Sequence, residues 1–143
     1  MEILRSVLQQ LPEFQQLLAA LDSGQSPAAV SGLAAVHRAH FAACLGQESG
    51  RPVVVVCADE GEAERMARDL SFLTGGEVPV LAARSFLFHN IATVSRQWEH
   101  RRLRLLYRLT RGEVPCLVAT VEALLQRTLP PEALERACTV LAV

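Results

Sequence analysis

The run Val53-Val54-Val55-Val56-Cys57 is apolar at every position, without alternation, and it limits the fold more than any other segment. A strand with one wet face alternates apolar and polar side chains. A strand covered by helices on both sides is apolar throughout. The run therefore predicts a central strand in a parallel sheet. Two further short apolar segments, Val78-Pro79-Val80-Leu81-Ala82 and Cys116-Leu117-Val118-Ala119, alternate with helix-forming stretches. That order implies right-handed crossovers and helices on both faces of the sheet. The fold class expected is α/β, a parallel sheet between helices.

The remaining elements follow from periodicity and caps. Ile3 to Leu21 carries leucine and phenylalanine at three- and four-residue steps, with Pro12 placed to divide it into two helices. Ser26-Pro27-Ala28-Ala29-Val30-Ser31 is expected as a short strand, and Leu33 to Leu45 as a helix stopped near Gly46. Glu60 to Leu73 ends at Gly75-Gly76, Ser95 can cap a helix running to Arg111, and Thr120 caps Val121 to Arg127. Pro130-Pro131 opens a short helix from Glu132 to Arg136, and Thr139-Val140-Leu141-Ala142-Val143 is expected as a closing strand. The chain divides into an N-terminal helical segment, 1–24, and a sheet with its crossover helices, 25–143. The apolar final strand suggests a piece of a longer protein.

Such a fold commonly holds a nucleotide, but the basic residues argue otherwise. The chain has 143 residues and contains no lysine; all 14 of its basic side chains are arginines. A P-loop uses glycine-rich backbone to cradle phosphates and a lysine to reach the terminal ones. The corresponding position here reads Ser31-Gly32-Leu33-Ala34-Ala35-Val36-His37-Arg38. The lobe is therefore expected to be a degenerate P-loop lobe without its own ATP or Mg²⁺. Val53 to Glu60 resembles a Walker B segment, with an acidic pair after four valines. Asp59 and Glu62 also have the spacing of a helix capping box, and without a phosphate-binding lysine we read Asp59 as a cap.

Other chemistry finds little footing. Ser6, Ser23, Ser71 and Ser85 lack a G-x-S-x-G context, and no G-x-G-x-x-G follows a strand. Cys44, Cys57, Cys116 and Cys138 are far apart in apolar surroundings and read as reduced core residues. His37 and His40 lie three apart on one helix, with no third ligand at a useful spacing. The net charge of −1 gives the chain no overall bias towards nucleic acid or membrane. No apolar run approaches the roughly 20 residues of a membrane span, and the start lacks the pattern of a signal peptide. The cytoplasm is the expected compartment.

One helix is strongly basic, with Arg96, Arg101, Arg102, Arg104, Arg108 and Arg111. Leu103, Leu106, Tyr107 and Leu109, with Trp98 one turn earlier, form its expected apolar stripe, leaving the arginines mostly solvated. Arg101, Arg104, Arg108 and Arg111 are the candidate face for a partner or nucleic acid.

Ala83-Arg84-Ser85-Phe86-Leu87-Phe88, Ser95 and Arg102-Leu103-x-x-Leu106-Tyr107-x-Leu109 resemble the N-terminal lobe of the bacterial transcription-repair coupling factors (Mfd). Leu117 to Arg127, with Pro130 after it, resembles the same family's apolar strand and "EALLQR…P" helix. The similarity runs from about Gly32 to the end and is most specific from Arg102 to Pro130. Phe88-His89-Asn90 departs from the family's commoner aromatic–Asp pattern.

The resemblance implies a lobe similar to the first domain of the excision-repair helicase UvrB, with its P-loop degenerated. It implies partners too: UvrA, reached mainly through the following domain, and other domains of the same protein, which this module packs against to mask a surface. The ATP-driven DNA translocase and the part gripping RNA polymerase would lie downstream, and no catalytic residue carries over. Two other readings stay open, a nucleic-acid-binding module using the Arg96–Arg111 helix and a free-standing α/β enzyme.

Overall fold

A computed structural model describes residues 2–83 and 96–138, with side chains from residue 5 and, in the second stretch, from residue 97. Two short helices come first, α1 (Glu2–Gln9) and α2 (Pro12–Asp22). Pro12 sits at the start of α2, where its missing N–H interrupts no helical bond. Both helices lie on α3 (Ala35–Ser49). Phe14 meets Phe41 edge to face, with centroids 5.6 Å apart. The Arg5 Nε donates to Glu48 Oε1 at 2.7 Å.

The Ser26–Ser31 segment is not a strand. It is an exposed coil outside the sheet. Pro27 carries no N–H to contribute to a ladder, and Val30 is too exposed to anchor a strand by burial. Nor does Gly46 end α3. The helix runs on to Ser49 and stops at Gly50, whose φ of 63° suits glycine. Gly46 sits inside the helix where β1 passes closest: a Cβ there would fall 2.7 Å from Val53 Cγ2.

The sheet contains β1 (Val53–Cys57), β2 (Val80–Leu81) and β3 (Cys116–Thr120), all parallel, in the order β1-β3-β2. Register runs from Val53 opposite Cys116 to Cys57 opposite Thr120, and Val80 lies opposite Val118. The sequence expects a central Val53–Cys57 strand. Among the described residues the central strand is β3, buried along its whole length, and β1 is at an edge. Burial on both faces accompanies pairing on both edges in β3, whereas among the described residues Val54 and Val56 of β1 are about half exposed.

The pleat of β3 separates two cores. Cys116 and Val118 point to one face, where α3 and α4 (Glu60–Thr74) bring Ala39, Ala43, Ala63, Ala67 and Leu70. The alanines let these two helices and the sheet approach closely. Leu117 and Ala119 point to the other face, against Leu105, Leu106 and Leu109 of α5 (Arg96–Thr110) and Ala123 of α6 (Val121–Leu125). A last helix, α7 (Pro131–Ala137), packs against α5.

Caps set the helix limits. Asp59 Oδ1 accepts from Glu62 N at 2.8 Å, and Glu62 Oε2 accepts from Ala58 N at 3.2 Å, a slightly displaced capping box. Thr120 Oγ1 accepts from Ala123 N at 3.1 Å. The helix it starts ends at Leu125, two residues before the expected Arg127. The end of α5 is a Schellman turn: Gly112 N donates to Leu109 O, Glu113 N to Arg108 O, and Gly112 has a φ of 68°. The expected Ser95 cap, the Arg84–Val94 stretch and the closing Thr139–Val143 strand lie outside the described residues.

Candidate functional site

Arg101, Arg104, Arg108 and Arg111 recur at steps of three, four and three residues, which gathers them on one side of α5. They are not equivalent. Glu113, placed just beyond the helix by the Schellman turn, lies 3.0 Å from Arg111 Nε and 3.9 Å from Arg108 Nε. The Glu113 hydrogen bond raises the Arg111 pKa, so this guanidinium stays charged. Its carbon also lies 5.9 Å from the Tyr107 ring centroid. Arg101 and Arg104 lie exposed one to two turns earlier. The C-terminal half of the stripe is thus partly neutralised, and the cationic part is Arg101 with Arg104.

The apolar side of α5 differs from its sequence reading by a rotation. Leu103 is 39% exposed, while Leu105 is 8% exposed and packs on the sheet. Arg102, grouped in the sequence with the solvated arginines, is also buried, at 9% exposure. Its Nη2 donates to Ala123 O at 2.9 Å and its Nη1 to Ala82 O at 3.2 Å, with the guanidinium carbon 5.7 Å from the Trp98 centroid. One side chain therefore ties α5 to the end of β2 and to α6. Burial pushes its pKa below the ordinary guanidinium value. A signal for this role was present in the sequence: Arg102 stands one turn after Trp98 and one before Leu105, inside the buried arc rather than opposite it.

Beside this arginine runs a groove of about 390 Å³ lined by Trp98, Arg102, Leu103, Leu106, Arg127 and Leu129. Leu129 and Leu103 contribute exposed apolar surface there, and Leu125 of α6 is 80% exposed. An apolar groove edged by cations suits contact with another polypeptide better than bond-making chemistry. A wider cleft of about 800 Å³, lined by Ala42, Gly46, Val53, Val54, Val114 and Leu117 among others, lies where β1 and β3 begin. Nucleotide sites of open α/β sheets lie at the opposite, carboxyl ends of the strands.

In the 31–38 segment, Ala34 precedes α3 without a side-chain cap, and Gly32 has a φ of 83° in an exposed coil. Asp59 is occupied as a cap. His40 is half-buried, with its Nε2 3.4 Å from Cys44 Sγ, and His37 is exposed. Among the described residues no three His, Cys, Asp or Glu converge on a metal position. Cys44, Cys57 and Cys116 are buried free thiols whose pKa is raised, chiefly by desolvation. None of the described helices is long and apolar enough to cross a membrane.

Two known proteins are similar to this chain over most of its length. The transcription-repair-coupling factor of Bacillus subtilis (strain 168) is 27% identical over 132 residues, which is 92% of this chain. That of Myxococcus xanthus is 33% identical over 125 residues, 82% of this chain. The chain is related to the transcription-repair-coupling factors. It spans only about a tenth of these relatives' length, 11% and 10%, in their N-terminal region. No family model matches the chain, and no solved structure matches it. The α5–β3–α6 region that carries the resemblance in the sequence is also where Arg102 fastens three elements together.

Proposed function

We propose that this chain is a non-catalytic lobe of a transcription-repair-coupling factor, a degenerate nucleotide-binding lobe retained for its surfaces. The observation that carries this reading is the similarity over 82–92% of the chain to a tenth of much longer proteins. A module of that kind acts through the domains and partners around it. In this reading the lobe helps recruit UvrA, mainly with the domain that follows it, and packs against other parts of the same protein to mask that surface. The parent protein would be the ATP-driven translocase acting on DNA and stalled RNA polymerase. The exposed apolar residues beside the α5–α6 groove support a docking role.

The test is calorimetry on the chain with ATP and with UvrA. The reading expects no saturable ATP binding, and UvrA binding that is weak for this lobe and strong when the following domain is included. Tight ATP binding by the lobe would overturn it. A nucleic-acid role is favoured by one observation, the open Arg101 and Arg104 heads. Two phosphate contacts would give a log–log salt slope of about −2 for DNA binding. Affinity without that slope, or unchanged in the Arg101→Glu/Arg104→Glu chain, would remove the nucleic-acid reading.

A further inference from the structure

The two N-terminal helices bury little of themselves. Of the side chains described in α1 and α2, only that of Phe14 is buried, at 2% exposure. Leu8, Leu17, Leu18 and Leu21 are half-buried, and Val7 and Leu11 are exposed. Phe14 on Phe41 and Arg5 on Glu48 tie the pair to α3. Arg51, just after α3, also lies 3.5 Å from Asp22 Oδ1, but both side chains are exposed and such a pair contributes little. Between α2 and α3, residues 25–34 are coil, and every residue from Asp22 to Gly32 is exposed. Fully extended, ten residues reach about 35 Å, enough for the helices to leave α3 with the sheet undisturbed.

What they cover is a defined stripe. Phe41, Cys44 and Glu48 follow at steps of three and four residues and so share one side of α3. Phe14 meets one end of that stripe and Arg5 the other. Cys44, between them, is 3% exposed yet belongs to neither core of the sheet, where α3 contributes Ala39 and Ala43 instead. Its cover therefore comes from the α1–α2 side. The charges of Arg5 and Glu48 both act on this thiol, which sets it beside their ion pair.

We propose that α1 and α2 form a hinged strap, latched to α3 by Phe14 and Arg5, that opens as a unit about the 25–34 coil while the sheet stays folded. Closed, it hides the Phe41–Cys44 stripe and its own Phe14 face; open, it presents both. The latch is modest: one edge-to-face ring pair, and one ion pair whose arginine is 42% exposed. Elements with few buried contacts open at a lower free energy than the whole domain. This inference rests on contacts within the lobe and stands apart from the coupling-factor reading.

Alkylation of the 143-residue chain with iodoacetamide, resolved by peptide mass spectrometry, tests it, with Cys57 of the sheet core as the internal reference. Cys44 is expected to react about tenfold or more faster than Cys57. Its rate should change little in low urea, where that of Cys57 climbs steeply, because the strap exposes much less surface than global unfolding. Phe14→Ala should speed Cys44 by about tenfold or more. Val118→Ala, which weakens the sheet in the closed and open forms alike, should speed Cys57 and leave Cys44 unchanged. Equal rates and equal urea dependence at the two thiols would overturn the proposal. So would a Cys44 rate indifferent to Phe14→Ala, or one raised by Val118→Ala as much as that of Cys57. Should either variant unfold, the unaltered chain decides: a shallow urea dependence at Cys44 beside a steep one at Cys57 supports the strap, and matching slopes reject it.

Discussion

Replacing Arg102 by methionine isolates what its guanidinium does, because the stem packing stays and only the charged fork is lost. The arginine donates to Ala123 O at 2.9 Å and Ala82 O at 3.2 Å. Hydrogen bonds from a charged donor contribute about 1.5–3 kcal/mol each, so the pair amounts to roughly 3–6 kcal/mol gross. Desolvation of the cation works against this, which is the direction of its lowered pKa. Methionine relieves that penalty but leaves two inward carbonyls without this donor. The net loss expected is about 3 kcal/mol, equivalent to a fall in Tm of about 8–10 °C for a chain of this size. Urea unfolding followed by circular dichroism measures it, with an unchanged m-value if the native state keeps its compactness. Arg102→Lys should recover about half, because one ammonium cannot reach two carbonyls as a planar fork does. A Met variant within about 0.5 kcal/mol of the parent would refute the view that this side chain fastens α5 to β2 and α6.

Three other outcomes follow from particular contacts. Gly46→Ala should raise helix propensity by about 1 kcal/mol, yet its Cβ would lie 2.7 Å from the stiff, branched Val53. We expect a net destabilisation of about 1 kcal/mol, cancelled when Val53→Ala is present; a rise in the urea midpoint would contradict the close approach. Asp59→Ala should lose about 1 kcal/mol, Asp59→Asn should lose little, and a Mg²⁺-dependent rise in the parent's Tm would contradict its assignment as a cap. The buried thiols Cys44, Cys57 and Cys116 have pKa values raised above 9.0. Their contribution is present below the ordinary thiol value and is lost as pH rises, because the unfolded chain ionises first. Stability should therefore decline as pH rises above the ordinary thiol value of about 8.5, and less so in a chain with all three replaced by alanine. An equal decline in both chains would rule the thiols out.

Much of the local structure was legible because its causes are local. Pro12 divides the first helices, Gly75 and Gly112 end α4 and α5, and Asp59 and Thr120 cap through their own side chains. Each depends on groups within a few residues. The errors concern residues whose state is set by distant neighbours. Gly46 reads as a stop until Val53 is placed against it. Arg102 reads as solvated until Ala82 and Ala123 present their carbonyls, 20 and 21 residues away. The arginine stripe was visible as a spacing, but that Glu113 answers half of it was decided by the turn that folds Glu113 back.

By itself, the sequence determined an α/β chain with a parallel sheet, the limits of most helices, the absence of lysine, and the relationship to coupling factors. These follow from short-range periodicity, capping chemistry and residue identity. Only the tertiary structure decided that, among the described residues, β3 lies between two strands and β1 at an edge, because four valines in a row specify covered faces but not the number of neighbours. It likewise decided which arginines of α5 face solvent and which one is buried. Helix rotation follows the whole sheet beneath it, where Leu105 outcompetes Leu103 for the space over Leu117 and Ala119.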